Sequence, residues 1–140
     1  MLTRLYVDNY KCLVNFDLRL GREHLLMGRN GTGKTTVFEV LSCLRRLYSG
    51  RENVTEVFSP STLTRWQKRT RQVFELELAL DGEDYRYRLE VEHEAERSRS
   101  RVEREALYQG EMLLFLYEPG QQFSKFLAQD DQHLALWGGR

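Results

Sequence analysis

Gly28-Arg29-Asn30-Gly31-Thr32-Gly33-Lys34-Thr35-Thr36 satisfies every fixed position of the pattern G-x-x-x-x-G-K-[ST]. Glycines at these positions let successive backbone N–H groups converge on an anion, and the helix that follows points its positive dipole end at the same place. The flanking sequence fits that use. Leu25-Leu26-Met27 reads as a short apolar strand entering the loop, and Val37, Val40, Leu41, Leu44 and Leu47 recur at helical spacing until Gly50 stops them. Strand, loop and helix in that order are what a phosphate grip requires. The residues assigned to it are Gly28, Arg29, Asn30, Gly31, Thr32, Gly33, Lys34, Thr35 and Thr36. Lys34 is the expected contact to the β- and γ-phosphates of a nucleoside triphosphate and the residue on which phosphoryl chemistry would depend. Thr35 is the expected hydroxyl ligand of the accompanying Mg²⁺.

Around this loop the chain has the balance of an ordinary globular domain. Its 140 residues are 30% charged and 41% hydrophobic, enough to bury a sizeable core. Lys plus Arg equals Asp plus Glu at 21 each, so any affinity for a polyanion has to come from a local patch. No run approaches the ~20 apolar residues of a membrane span. Met1-Leu2-Thr3-Arg4 lacks the apolar segment of a secretory signal, which makes the cytoplasm the expected location. Cys12 and Cys43 have no metal-ligand spacing and read as reduced, buried thiols.

Before the loop, alternation at Leu5 and Val7 and again at Phe16, Leu18 and Leu20 predicts two short strands. After the helix, residues 51–72 are polar and contain Pro60, which reads as a connector or a short irregular helix. From Val73 the alternation is strong. Phe74, Leu76, Leu78 and Leu80 share one face, Asp81-Gly82 is a favoured hairpin turn, and Tyr85, Tyr87, Leu89 and Val91 return opposite them with Arg and Glu on the wet face. A charged bend over residues 94–101 leads to a third strand at 102–108, and Gln109-Gly110 turns into a fourth at 112–117. The expected fold class is therefore mixed α/β, a phosphate-loop lobe with one main helix and an antiparallel meander. Its organisation is strands, loop and helix over 1–50, connector over 51–72, meander over 73–120 and tail over 121–140.

The first strand ending in Asn9-Tyr10-Lys11, the second strand, the loop GRNGTGKTT and the following Val37-Phe38-Glu39-Val40-Leu41 resemble the start of ABC-type, AAA-family ATPase heads of the SMC, RecF and OLD group. The resemblance is specific over residues 2–48 and architectural from residue 73 onward. It implies ATP and Mg²⁺ as cofactors, a role in DNA transactions, repair or defence, and a site completed by a second head, a second copy or a C-terminal part encoded downstream. It also implies that the chain is an N-terminal lobe cut from a longer fold. In that family the basic residue after the first strand approaches the nucleotide, here Lys11, for which a solvated strand-end lysine is the alternative. Gln67 and Gln72 are both candidates for the family's nucleotide-linking glutamine.

Several family elements are missing. An aspartate after a hydrophobic strand, a neighbouring water-orienting glutamate and a signature loop are not found. Leu113-Leu114-Phe115-Leu116-Tyr117-Glu118-Pro119 imitates the first two, but with Tyr117 in place of the aspartate it reads as the fourth meander strand, with Glu118 kept as a remote candidate for the water-orienting base. His133 reads as a surface histidine. Hydrolysis is accordingly expected only with elements supplied in trans. A non-hydrolysing, ATP-dependent assembly module is the alternative, and a small phosphotransferase a weaker one.

Two basic stretches lie outside these motifs. Arg65-Trp66-Gln67-Lys68-Arg69-Thr70-Arg71 could contact DNA, although a solvated segment with Trp66 tucked into the core is the favoured expectation. Arg97-Ser98-Arg99-Ser100-Arg101, between Glu-rich flanks, reads as a charged bend.

Overall fold

The computed structural model describes residues 1–29 and 31–120. Six strands form one sheet: β1 (Leu2–Asp8), β2 (Phe16–Arg19), β3 (Arg71–Leu80), β4 (Glu83–Glu94), β5 (Arg99–Gln109) and β6 (Met112–Tyr117). Their order is β2-β1-β3-β4-β5-β6, and every neighbouring pair is antiparallel. The helix α1 (Lys34–Tyr48) packs on one face, and a single turn, α2 (Val54–Val57), lies in the connector.

The period-2 pattern explains the sheet and the period-3.6 pattern explains what covers it. Leu5 and Val7 of β1, Phe74 and Leu76 of β3, and Tyr87, Leu89 and Val91 of β4 point to the buried face. Val37, Val40, Cys43, Leu44 and Leu47 of α1 close over them. Tyr10 from the turn after β1 and Phe58 after α2 complete the core. The rings of Tyr10, Phe58 and Phe74 have centroids 6.1, 5.9 and 4.5 Å apart, within the range where edge and offset contacts add to burial. On the wet face, Arg4 bridges Asp17, Glu75 and Glu77, and Arg88 bridges Glu75 and Glu90, so cross-strand charge pairs fix the register the core already prefers.

Turn chemistry matches the meander. Asp81 and Gly82 have φ of 52° and 83°, the left-handed pair that a two-residue hairpin needs. The connector carries a capping box, in which the Asn53 side chain accepts from Glu56 N–H and the Glu56 carboxylate accepts from Asn53 N–H.

Four expectations are corrected. Residues 25–27 are not a strand: Leu25 and Met27 are 78% and 82% exposed, and only Leu26 packs against the core. A phosphate-loop strand is held by parallel neighbours on both edges and apolar cover on both faces. Here the described strands satisfy one another antiparallel and leave it none. The charged bend is shorter than expected, because β4 continues to Glu94 and β5 begins at Arg99; only Ala95–Arg97 and the left-handed Ser98 turn the chain. Trp66 is not in the core but 69% exposed. Of the two thiols, both free, Cys43 is buried and Cys12 is exposed. Asn30, the 121–140 tail and His133 lie outside the described residues.

Candidate nucleotide site

The loop closes on itself ahead of α1. Thr32 donates from its hydroxyl to the Arg29 carbonyl at 2.8 Å, and the Lys34 ammonium donates to the Gly28 carbonyl. Gly33, the residue before the helix, has φ of 93°, and a Cβ there would lie 3.0 Å from Cys12 Sγ and 3.3 Å from Leu13 Cδ2. The motif's last glycine is therefore required twice, by the left-handed backbone and by the turn that packs against it.

The helix start is prepared for an anion. Gly33 supplies no side-chain cap, the first turn carries no acidic residue, and Arg45 and Arg46 occupy the last turn. Helix N–H groups left without a side-chain acceptor are the donors an anionic ligand can satisfy. With Lys34 turned into the loop mouth and Thr35 exposed on the first turn, the residues fit a Mg-bound triphosphate.

The turn after β1 is built around a buried asparagine. Asn9 has φ of 65° and is fully buried. Its amide donates to the carbonyls of Arg69 and Arg71 at 2.8 and 2.9 Å and accepts from Thr64 N–H and Gln67 Nε2 at 3.2 and 2.5 Å. One side chain thus staples the end of β1 to the connector. Beside it Asp8 takes both Nη atoms of Arg69, at 2.6 and 3.1 Å. Burial alone would raise the Asp8 pKa, but the Arg69 pair and the Asn15 N–H hold it below the usual carboxylate value. The staple fixes Lys11, whose N–H donates to the Thr62 carbonyl at 2.7 Å and whose ammonium pairs with Glu39 of α1 at 2.5 Å.

Gln72, His93 and Ser100 continue the network into the sheet. Gln72 donates to the Asn9 carbonyl at 3.0 Å, and its oxygen meets His93 Nε2 at 2.8 Å. His93 Nδ1 meets the Ser100 hydroxyl at 2.9 Å. Burial presses the His93 pKa down from 6.5 to about 4, with a smaller opposing effect of Glu92. Of the two candidate glutamines, Gln67 and Gln72 both bind Asn9, so both serve the turn. Glu118 pairs with Arg104 and follows β6, with β3, β4 and β5 between it and β1. At ~4.8 Å per strand that puts β6 about 19 Å from β1, the strand whose following turn packs against the loop.

The structure thus brings the described loop residues, Lys11 and Cys12 together at the start of α1, where Cys12 Sγ is 3.7 Å from Thr36 Oγ1. Sequence reasoning passed over the Asn9, Gln72, His93 and Ser100 network. The signal was present: Gln72 and His93 fall on the apolar parity of their strands, the first with Phe74 and Leu76, the second with Leu89 and Val91.

Sheet, helix and loop define a mixed α/β lobe carrying a phosphate-loop pattern. Residues 24–136 match the family described as an AAA domain, putative AbiEii toxin, Type IV TA system, and the chain belongs to that family. It is 46% identical over 41 residues to the OLD nuclease of Thermus scotoductus, a match covering 29% of this chain and 8% of that protein. It is 51% identical over 37 residues to a putative ribose/galactose/methyl galactoside import ATP-binding protein of Albidiferax ferrireducens, covering 26% of this chain and 7% of the relative. These matches support an AAA- or ABC-like ATPase fragment and span less than a tenth of either relative. No helix among the described residues is long and apolar enough to cross a membrane.

Proposed function

We propose that this chain is the ATP-gripping lobe of a RecF-, SMC- or OLD-like ATPase, working in DNA transactions or defence. The observation that carries the proposal is the loop closed by the Thr32–Arg29 and Lys34–Gly28 hydrogen bonds ahead of an uncapped, acid-free helix start. The backbone of the loop and Lys34 would hold the phosphates, Thr35 would hold Mg²⁺, and Lys11 would face the nucleotide. A bound Mg²⁺ would neutralise charge on the phosphates during transfer to water. The chain's own part is to orient the triphosphate and lower the charge on its terminal group. Asn9, Gln67 and Gln72 keep the adjoining turn in place.

The water-orienting carboxylate is proposed to come from another polypeptide or a second copy. Two features support this. Glu39, near the loop, is paired with Lys11. Leu25, Met27 and Phe38, flanking the loop in sequence, are exposed at 78%, 82% and 63%, as expected of surfaces that parallel strands cover in a complete head. The domain division at 50, 72 and 120 and a cytoplasmic location belong to the same proposal.

Measuring ATP turnover by the purified chain, alone and with candidate partner proteins, tests the reading. Binding without turnover alone, and turnover that appears with a partner and disappears in Lys34→Ala, is the expected result. Turnover by the chain alone at the same rate refutes completion in trans. The non-hydrolysing assembly module gains if ATP drives association and no partner restores turnover.

A further inference from the structure

A cleft of about 320 Å³ lies between the turn after β1 and the connector, lined by Lys11, Ser61, Leu63, Arg65 and Trp66. Its walls are fixed on both sides of Trp66. Thr64 N–H and the Gln67 amide both donate to Asn9 Oδ1, and Tyr10 bridges Leu63 across the turn. Arg65 and Trp66 therefore form the apex of a clipped segment rather than the middle of a loose one. Trp66 is nevertheless 69% exposed. Arg65 makes no ion pair among the described residues, in contrast to its neighbours Arg69 and Arg71.

The cleft is joined to the loop by adjacent residues. Lys11 lines it, and Cys12, the next residue, lies against Gly33 and Thr36. An exposed aromatic ring on a segment clipped at both ends, beside a guanidinium with no ion pair among the described residues, is the chemistry that stacks a heterocyclic base. That link through Lys11 and Cys12 to the start of α1 favours the base of the nucleotide bound there over a base from a separate strand.

We propose that the cleft between Lys11 and Trp66 receives the nucleobase of the nucleotide whose phosphates the 28–36 loop holds, with the ring stacked on Trp66 and flanked by Arg65. The proposal rests on the phosphate-loop reading. Trp66 contributes to affinity for nucleotides and nothing to affinity for a bare phosphate chain. The connector thus reads the base while the loop reads the phosphates.

The test compares Mg·ATP with inorganic tripolyphosphate, which carries the phosphates without a base. Wild-type chain, Trp66→Ala, Trp66→Phe and Lys34→Ala are titrated calorimetrically. Tryptophan fluorescence is read in a Trp137→Phe background, where Trp66 is the remaining one of two tryptophans. Expected are an affinity for ATP about tenfold lower in Trp66→Ala, unchanged affinity for tripolyphosphate, recovery in Trp66→Phe, and quenching by ATP but not by tripolyphosphate. Because Trp66 is exposed, its replacement leaves the core intact. Equal effects of Trp66→Ala on both ligands, or none on either, overturn the base assignment while leaving the loop's role standing. Quenching by a single-stranded oligonucleotide, with ATP affinity unaltered in Trp66→Ala, also overturns it and assigns the cleft to nucleic acid. Wild-type chain that binds neither ATP nor tripolyphosphate overturns the base assignment and the phosphate loop together.

Discussion

Replacing Asn9 separates the two things that residue does, because alanine and glycine fail differently. Both substitutions remove four hydrogen bonds, two donated to the carbonyls of Arg69 and Arg71 and two accepted from Thr64 N–H and Gln67 Nε2. At about 1 kcal/mol net for each bond, the loss common to both is about 3–4 kcal/mol. Alanine must in addition hold φ of 65°, a left-handed conformation that costs an L-residue about 1–2 kcal/mol. Glycine adopts it without strain but adds freedom to the unfolded chain, worth about 0.4–1 kcal/mol. Asn9→Ala is therefore expected to be less stable than Asn9→Gly by about 0.5–1 kcal/mol, the reverse of the order at an ordinary helical or extended position. Urea unfolding followed by far-ultraviolet circular dichroism measures both. A loss under about 1 kcal/mol in either variant refutes the hydrogen-bond account, and a glycine variant weaker than the alanine variant refutes the backbone account.

Acid sensitivity is expected from His93, whose pKa burial lowers from 6.5 to about 4. Above pH 6.5 the ring is neutral in both folded and unfolded chains and costs nothing. As pH falls from 6.5 towards 4 only the unfolded chain takes up the proton, so this residue withdraws up to about 3 kcal/mol of stability. Urea midpoints measured across that window should flatten in His93→Gln, and an equal slope in the variant contradicts the assignment. Gly33→Ala should destabilise the chain by about 2–3 kcal/mol, since it adds left-handed strain to contacts with Cys12 and Leu13 at 3.0 and 3.3 Å. Adding Cys12→Ala should recover part of that loss in thermal unfolding. Full recovery means that the backbone conformation costs nothing.

How much of the fold could be read in the chain follows the physics of each element. The meander was legible because strands covered on one face alternate apolar and charged residues, and Asp81-Gly82 marks its hairpin. The helix was legible because its five buried positions recur on one face. Leu25-Leu26-Met27 misled because three apolar residues carry no period, and strand formation there depends on neighbours that the local sequence does not specify. Trp66 misled because burial is the usual state of a tryptophan, whereas Asn9 clips the connector with that ring outward. The phosphate loop was legible as a motif. Its dependence on the turn at 9–13 was not, because Gly33 and Cys12 meet only once the sheet has formed.

The central claim is that residues 28–36 grip a nucleoside triphosphate through Lys34 and the start of α1. Calorimetric titration of Mg·ATP into the wild-type chain and into Lys34→Ala tests it most directly, because the ammonium lies in the loop mouth and contributes nothing to the core. Saturable binding by the wild type, with affinity lower by about two orders of magnitude or more in Lys34→Ala and an unchanged unfolding midpoint, is the predicted result. Equal affinity in the two proteins contradicts the account.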